Sequence, residues 1–352
     1  MIVGVASGNY VAPADARDGR AHWNGAGWVR LAQWFGLWGE HHQVYGGTLR
    51  DAGTHLQIEA VLPGGETAIV NPEVVYLQRL MVDLAGAIRR ARANGQVVVQ
   101  DVDDWWWGFD ARNCGWRPDP AALRLFADGL AAADVVTVTT PFLADRLSER
   151  LRRDAVVIPN HVDVARFAPV DHNVEQPTIG WAGGVEFRSG DLAQLKGVLS
   201  QLRDVAAFQH SGHDERFGWF ADEVGLDRAE VATVGRALAE DYPALLDFQV
   251  GVVPLRSNPF NDAKSDLKGL EYAACGIPFV ASPTGPYRQL ALDWGDCVRV
   301  AARPADFVRH LRALADSDTR QAAAEQLRKQ VLARDLHEGL HHYLDLFASV
   351  SR

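Results

Sequence analysis

The chain has 352 residues, 47% apolar and 23% charged, and a formal net charge of −10. Its length suits two domains and its composition suits a well-cored globular protein, which excludes disorder over any long stretch. The acidic balance excludes nucleic-acid binding by bulk charge, leaving only a local basic cleft for that role, and no run of about 18 apolar residues exists to span a membrane.

In chain order, "MIVGVAS" reads as a short buried strand that turns polar at Gly8 and Asn9. No basic leader with a long apolar core follows the start, so no signal peptide is expected. "GNY" and "HWNGAGW" form a polar loop, and "GWVRLAQWFGLW" has apolar residues at helical spacing. "THLQIEAVL" alternates as a strand does, and "EVVYL" is another strand. "LMVDLAGAIRRARANG" reads as a helix closed by Gly95, and "QVVVQDVDD" as a buried strand running into acids. Then come "DPAALRLFADGLAAA" (helix), "DVVTVTT" (strand), "PFLADRLSERLRR" (helix) and "AVVIPN" (strand). Such β-α-β repetition implies parallel strands covered by helices.

Residues 161–176 carry scattered charges with no period and read as a linker. The alternation restarts with "TIGWAGG" as strand and glycine turn, "DLAQLKGVLSQL" as helix, and "VAAFQH", "VATVG", "FQVGVVPL", "IPFVAS" and "CVRVA" as strands. From Ala305 the chain is almost entirely helical. The expected organisation is an α/β half at 1–160, a hinge at 161–176, a second α/β half at 177–334, and a C-terminal helix at 335–352 that can pack back on the first half. Ligands in such folds sit beyond the carboxyl ends of the strands, here in the cleft between the halves. Cys114, Cys275 and Cys297 are odd in number and widely spaced, which points to a reducing, cytoplasmic setting without a disulfide frame or zinc cluster.

"NPFNDAKSDLKGLEYAACGIPFVASP" sets charges directly before a buried helix and strand. Asn258, Pro259 and Asn261 are turn chemistry, so the helix is expected to begin near Asp262 to Ser265 and end near Cys275 and Gly276. Free N–H groups, the helix dipole, Lys264 and the Ser265 hydroxyl would make an anion cradle there. Glu271 lies two turns further in on an otherwise apolar face, where a carboxylate needs partners such as a ribose diol. The competing reading is that Asp262 or Ser265 only caps the helix while the lysines are solvated.

The order "DFQVGVVPL…NPFNDAKSDLKGLEYAACGIPFVASPTGPYRQL" resembles the donor-binding segment of glycosyltransferases with two Rossmann-like domains (GT-B), closest to the large, mostly retaining group that uses nucleotide-sugars. "ADVVTVTTPFLADRLSER…AVVIPNHVDVARFAP" and "TIGWAGGVEFRSGDLAQL" are similar to further parts of that family, so the likeness covers most of residues 133–291. The first hundred residues match only in layout. The resemblance implies two Rossmann-like domains facing each other across a cleft, a helical C-terminal tail, and transfer of a sugar from a nucleoside diphosphate sugar to an acceptor hydroxyl with retention. It implies that Glu271 holds the ribose, that the backbone from Lys264 through Ser265 and Asp266 to Leu267 faces the diphosphate with Lys268 beside it, and that Lys264 neutralises the leaving group. Many members carry another glutamate eight positions before Glu271; here that position is Ala263, with Asn261 or Asp262 as substitutes.

Gly183 and Gly184 in "GWAGG" let a backbone approach a ligand closely, but the spacing is not a dinucleotide fingerprint. Arg188, four residues on, can fork onto diphosphate oxygens, and resembling enzymes use a basic residue in this loop for that purpose. Lys196 reads as a surface residue. Gly235 and Arg236 follow a strand where related enzymes contact the nucleobase.

In "QDVDDWWWGFD", Asp101, Asp103 and Asp104 should project from a strand end, and Trp105, Trp106 and Trp107 form a candidate platform for a sugar or base ring. Asp103 or Asp104 can take a proton from an acceptor hydroxyl; the competing reading packs the tryptophans between domains. "DVD" also matches the D-x-D metal motif of single-domain glycosyltransferases, which lack a second α/β half, so no metal is assigned. His22 and Asn24 border the acceptor side by layout. "HEGLH" matches a zinc-peptidase pattern but sits in the last helix with little chain left for a third ligand.

The expectation is therefore a cytoplasmic glycosyltransferase with no cofactor beyond the sugar-nucleotide co-substrate. Its acceptor would be a glycan, a small molecule or modified DNA. One alternative is transfer to hydroxymethylated DNA bases, stacked on the tryptophans. The other is a catalytically inactive sugar-nucleotide binder, given Ala263.

Overall fold

The structure, a computed structural model, describes residues 1–16, 19–113 and 117–351; Cys114 lies outside them. Contacts divide the chain into two compact units. Unit 1 comprises Met1–Trp107, Pro118–Asn160 and Leu336–Arg352, and unit 2 comprises Gly108–Arg117 and His161–Asp335.

In unit 1 the strands are β1 (Ile2–Ser7), β2 (Tyr10–Val11), β3 (His22–Trp23), β4 (Gln43–Asp51), β5 (Leu56–Val61), β6 (Thr67–Val70), β7 (Val74–Gln78), β8 (Val97–Val102), β9 (Val135–Val138) and β10 (Val156–Val157). Among the described residues the main sheet runs β10-β9-β8-β7-β1-β4-β5-β6, parallel from β10 to β4 and antiparallel from β4 to β6. Near-continuous Val runs suit β7 and β8, which are buried almost throughout. The helices are α1 (Gly25–Arg30), α2 (Phe35–Gly39), α3 (Ala85–Ala93), α4 (Pro120–Ala132) and α5 (Pro141–Leu151). Asp119 and Thr140 cap α4 and α5, and each helix has proline at its start.

The helix expected over "GWVRLAQWFGLW" is broken. Leu31 leaves helical geometry, and a single 3-10 turn at Ala32–Trp34 separates α1 from α2. The break lies beside the buried Arg30, while Trp34 and Trp38 fill the core. The C-terminal helix Leu336–Val350 closes that core: Tyr343 and Phe347 pack 4.8 and 5.3 Å from Trp38.

In unit 2 the strands are β11 (Thr178–Ala182), β12 (Ala207–His213), β13 (Val231–Gly235), β14 (Val250–Val253), β15 (Phe279–Ala281) and β16 (Val298–Val300). The helices are α6 (Ser189–Leu192), α7 (Phe220–Val224), α8 (Pro259–Asp262), α9 (Leu267–Ala274), α10 (Gly285–Trp294), α11 (Pro304–Ala315) and α12 (Ser317–Val331). Strand order is β13-β12-β11-β14-β15-β16, and every pair is parallel. The order reverses between β11 and β14, and in open α/β sheets a ligand sits beyond the carboxyl ends at such a point. The expected helix "DLAQLKGVLSQL" is instead the short α6 and two 3-10 turns. Gly197, at φ +73, separates the turns. Residues 161–176 belong to unit 2, with Val162 bridging to Asp335.

Candidate functional site

The switch between β11 and β14 gathers the donor-side candidates. Beyond Ala182 the chain turns at Gly183, whose φ of +150° is open to glycine. The Gly183 N–H donates to the Ser211 carbonyl at 2.8 Å, and its carbonyl lies 2.9 Å from His210 Nε2. At Gly184 a Cβ would meet Glu186 at 2.4 Å. Arg236 forks onto Glu186 at 2.6 and 2.7 Å and lies over the Phe217 ring, while Gly235 is exposed.

Arg188 enters α6 and donates to Asp191 at 3.1 Å. Asp191 is almost fully buried and also accepts from Asn113 Nδ2 (3.0 Å), the Arg256 N–H (2.8 Å) and Asn261 Nδ2 (2.8 Å). A buried carboxylate needs such partners, and here they tie the arginine to the segment after β14. Sequence reasoning missed this hub; the only signal was an acid three residues after the arginine in "RSGD".

The single helix expected from about residue 262 is two. Asn258 caps α8 by accepting from the Asn261 N–H, and the chain breaks through 263–266 before α9 begins at Leu267. Ala263 is fully buried. Asn261 is buried and turned toward Asp191 and the Arg256 carbonyl. Asp266 precedes α9 and makes a two-point ion pair with Arg334 at 2.9 and 3.2 Å. Ser265 and Leu267 are half-buried. The Lys264 ammonium sits 4.3 Å over the Phe260 ring.

Lys268 is not solvated, as the capping alternative required. Its ammonium donates to the Ala182 carbonyl and lies 3.4 Å from the Tyr242 hydroxyl. Burial holds its pKa below the usual lysine value, and the charges of Arg188 and Lys264 push the same way against the pull of Glu271. Burial raises Glu271 to about 6, opposed by Lys268 and by the Tyr242 hydroxyl bond. The charges of Arg188 and Lys264 thus reach Lys268, with Glu271 as its counter-charge. Such an arrangement is built for an anion beside a hydrogen-bonding diol.

In unit 1 the acceptor-side candidates separate. Asp101 is corrected: it is fully buried, accepts both arms of Arg30 at 2.7 and 3.0 Å and the Thr137 hydroxyl at 2.6 Å, and so cannot face an acceptor. Asp103 and Asp104 converge on Arg79 at 3.4 and 2.8 Å. Arg79, at φ +57, was not foreseen; its signal was a cation directly after the strand "VVYLQ". The tryptophans do not form an open platform. Trp105 is buried, Trp106 lies under the Arg79 guanidinium at 4.6 Å, and Trp107 stacks on Phe126. Trp106 and Trp107 stay half-buried in unit 1. His22 is half-buried in β3 with Nδ1 3.1 Å from the Arg20 carbonyl, and Asn24 precedes α1 without a side-chain cap bond. In "HEGLH", His341 Nδ1 lies 2.8 Å from the Glu338 carbonyl. Among the described residues no cluster of His, Cys, Asp and Glu is placed to hold a metal, and no helix is long and apolar enough to cross a membrane.

Residues 196–339 match the family model described as glycosyl transferase-like. No curated protein sequence matches the chain. Among solved structures, the chain is similar to Anabaena HepE in complex with UDP and glucose, at 12% identity and a TM-score of 0.65 over 99% of this chain and 100% of that one. It is similar to a glycosyltransferase from Rickettsia africae at 12% identity and a TM-score of 0.56, over 79% and 76% of the two chains. A variant of S. aureus TarM, in complex with fondaparinux, α-GlcNAc-glycerol and UDP, matches at 12% identity and a TM-score of 0.57, over 83% of this chain and 64% of that one. The fold is GT-B. Residues 196–339 are thus similar to the glycosyl transferase-like family, and the fold is that of the GT-B structures the chain matches.

Proposed function

We propose that the protein transfers a sugar from a UDP-sugar to an acceptor hydroxyl, with retention of anomeric configuration. The observation that carries this is the Lys268 ammonium in the first turn of α9, which donates to the Ala182 carbonyl at the end of β11 and lies 3.4 Å from the Tyr242 hydroxyl, with Glu271 one turn inside the helix. The bond from the anomeric carbon to the β-phosphate oxygen breaks, and one from the acceptor oxygen forms. The negative charge that grows on the departing UDP is met by Lys268, Arg188 and Lys264, with no need for a metal ion to supply it. Glu271 accepts from the ribose diol. Asp103 or Asp104, held by Arg79, takes the proton of the acceptor hydroxyl as its oxygen bonds the anomeric carbon.

UDP bound in HepE and TarM supports the choice of nucleotide, and the TarM variant also holds fondaparinux and α-GlcNAc-glycerol. The buried free thiols of Cys275 and Cys297 suit a cytoplasmic setting. Nucleotide release measured over a panel of UDP-, GDP- and ADP-sugars tests the reading. UDP should be released with at least one sugar; binding of no member of the panel contradicts it, and binding without release supports an inactive binder.

A further inference from the structure

Three successive residues of β12, His210, Ser211 and Gly212, each meet the turn residue Gly183. The His210 ring nitrogen Nε2 lies 2.9 Å from the Gly183 carbonyl oxygen, and the Ser211 carbonyl accepts the Gly183 N–H at 2.8 Å. At Gly212 a Cβ would come 3.2 Å from the Gly183 carbonyl oxygen, at a φ of +92° that favours glycine. The pairing of β12 with β13 shifts register between Ser211 and His213, a bulge of the kind that re-aims a strand end.

The histidine is not needed to fill space. Its ring stacks with Trp181 at 5.2 Å and with Phe220 at 5.6 Å, in a buried layer where phenylalanine would pack without losing a polar group's hydration. Among the described residues Nδ1 has no partner, so the bond to Gly183 is the ring's one hydrogen bond. A carbonyl oxygen only accepts, so Nε2 carries the proton. The Gly183–Gly184 peptide is trans and planar, so its N–H points opposite to its C=O. Anchoring the Gly183 carbonyl on His210 therefore directs the Gly184 N–H away from the ring. Among the described residues that N–H meets no acceptor, and it lies on the loop that carries Arg188. A free main-chain N–H and a guanidinium on one loop suit a phosphate oxygen.

We propose that His210 is a positioning residue for the donor: through the Gly183 carbonyl it aims the Gly184 N–H at a phosphate oxygen of the UDP-sugar. This rests on the glycosyltransferase reading, and the test separates the two.

UDP is titrated by calorimetry into the full chain, His210→Phe and His210→Gln, with the folded fraction of each measured by circular dichroism. Phenylalanine keeps the stacked ring and cannot donate; glutamine gives up the ring and can. In the folded fraction, His210→Phe should bind UDP about tenfold more weakly, and His210→Gln within about threefold of wild type. A purely structural role would lower stability and leave both affinities unchanged. In wild type, UDP should slow amide hydrogen exchange over residues 183–188, a readout that needs neither variant to fold. His210→Phe within about twofold of wild type, equal losses in both variants, or exchange at 183–188 unaffected by bound UDP overturns this inference and leaves the reading standing. Wild type that binds no UDP overturns both.

Discussion

Lys268 donates its ammonium to the main-chain carbonyl of Ala182, tying the first turn of α9 to the last residue of β11. The same ammonium is the counter-charge of Glu271. One side chain thus fixes the glycine turn and the Glu271 carboxylate relative to each other. Lys268→Met leaves the Ala182 carbonyl and the Glu271 carboxylate without that partner. It should cost about 1–3 kcal/mol of stability and lower UDP affinity about tenfold, read by denaturant unfolding and calorimetry. Unchanged affinity in a folded variant would remove Lys268 from the site.

Glu271 gives a pH dependence with opposite signs in binding and stability. Its value in the fold, about 6, is raised above the usual 4.5. Protonation removes an acceptor from the ribose diol, so affinity for UDP-glucose should fall as pH drops from 7 to 5. The diphosphate diester has no group titrating in that range, and Glu271→Gln should bind weakly and without that slope. The raised value also means the folded state favours the proton. Glu271's share of stability, about 2 kcal/mol, is present below pH 4.5 and lost as pH rises through about 6.

His210 runs the other way. Burial is the main cause of its depression from 6.5 to about 4, and the neutral ring lies 2.9 Å from the Gly183 carbonyl. The unfolded chain takes up a proton at a higher pH than the fold does. Unit 2 should therefore lose roughly 3 kcal/mol as pH falls from 6.5 to 4. His210→Gln, which can still donate to Gly183, should flatten that part of the pH–stability curve. An equal slope in the variant assigns the loss to other groups.

The buried pair in unit 1 separates structure from function. Arg30 binds Asp101 with both arms and also donates to the Ile158 carbonyl and to Asn160. Asp101→Asn leaves an uncompensated buried cation and should cost about 3–5 kcal/mol, with UDP affinity unchanged in the folded fraction. Chemical denaturation followed by UDP titration measures both.

The chain's local chemistry made much of this readable. Val-rich runs identified β7, β8 and β14, and the order "KGLEYAACGIPFVAS" located α9 and β15 before any coordinates did. Strand β4 was missed, because Gly46 and Gly47 interrupt a segment whose residues, Gly47 apart, are half-buried or exposed. Asp101 was misassigned for a physical reason: its partner Arg30 lies 71 residues away, and nothing local shows that the two are buried together. Asp191 and Arg79 act through partners 65 and 25 residues away, which periodicity and spacing do not register. Lys268 was placed beside the diphosphate, but its acceptor, Ala182, could not be foreseen because it belongs to a strand 86 residues away.

The most direct measurement is a calorimetric titration of UDP-glucose into wild type and the Arg188→Gln/Lys264→Met double variant at fixed salt. Each lost charge-assisted contact is worth about 1.5–3 kcal/mol, so the folded fraction of the double variant should bind at least about a hundredfold more weakly. Affinity within about twofold of wild type in a folded double variant would contradict docking of the pyrophosphate at the start of α9.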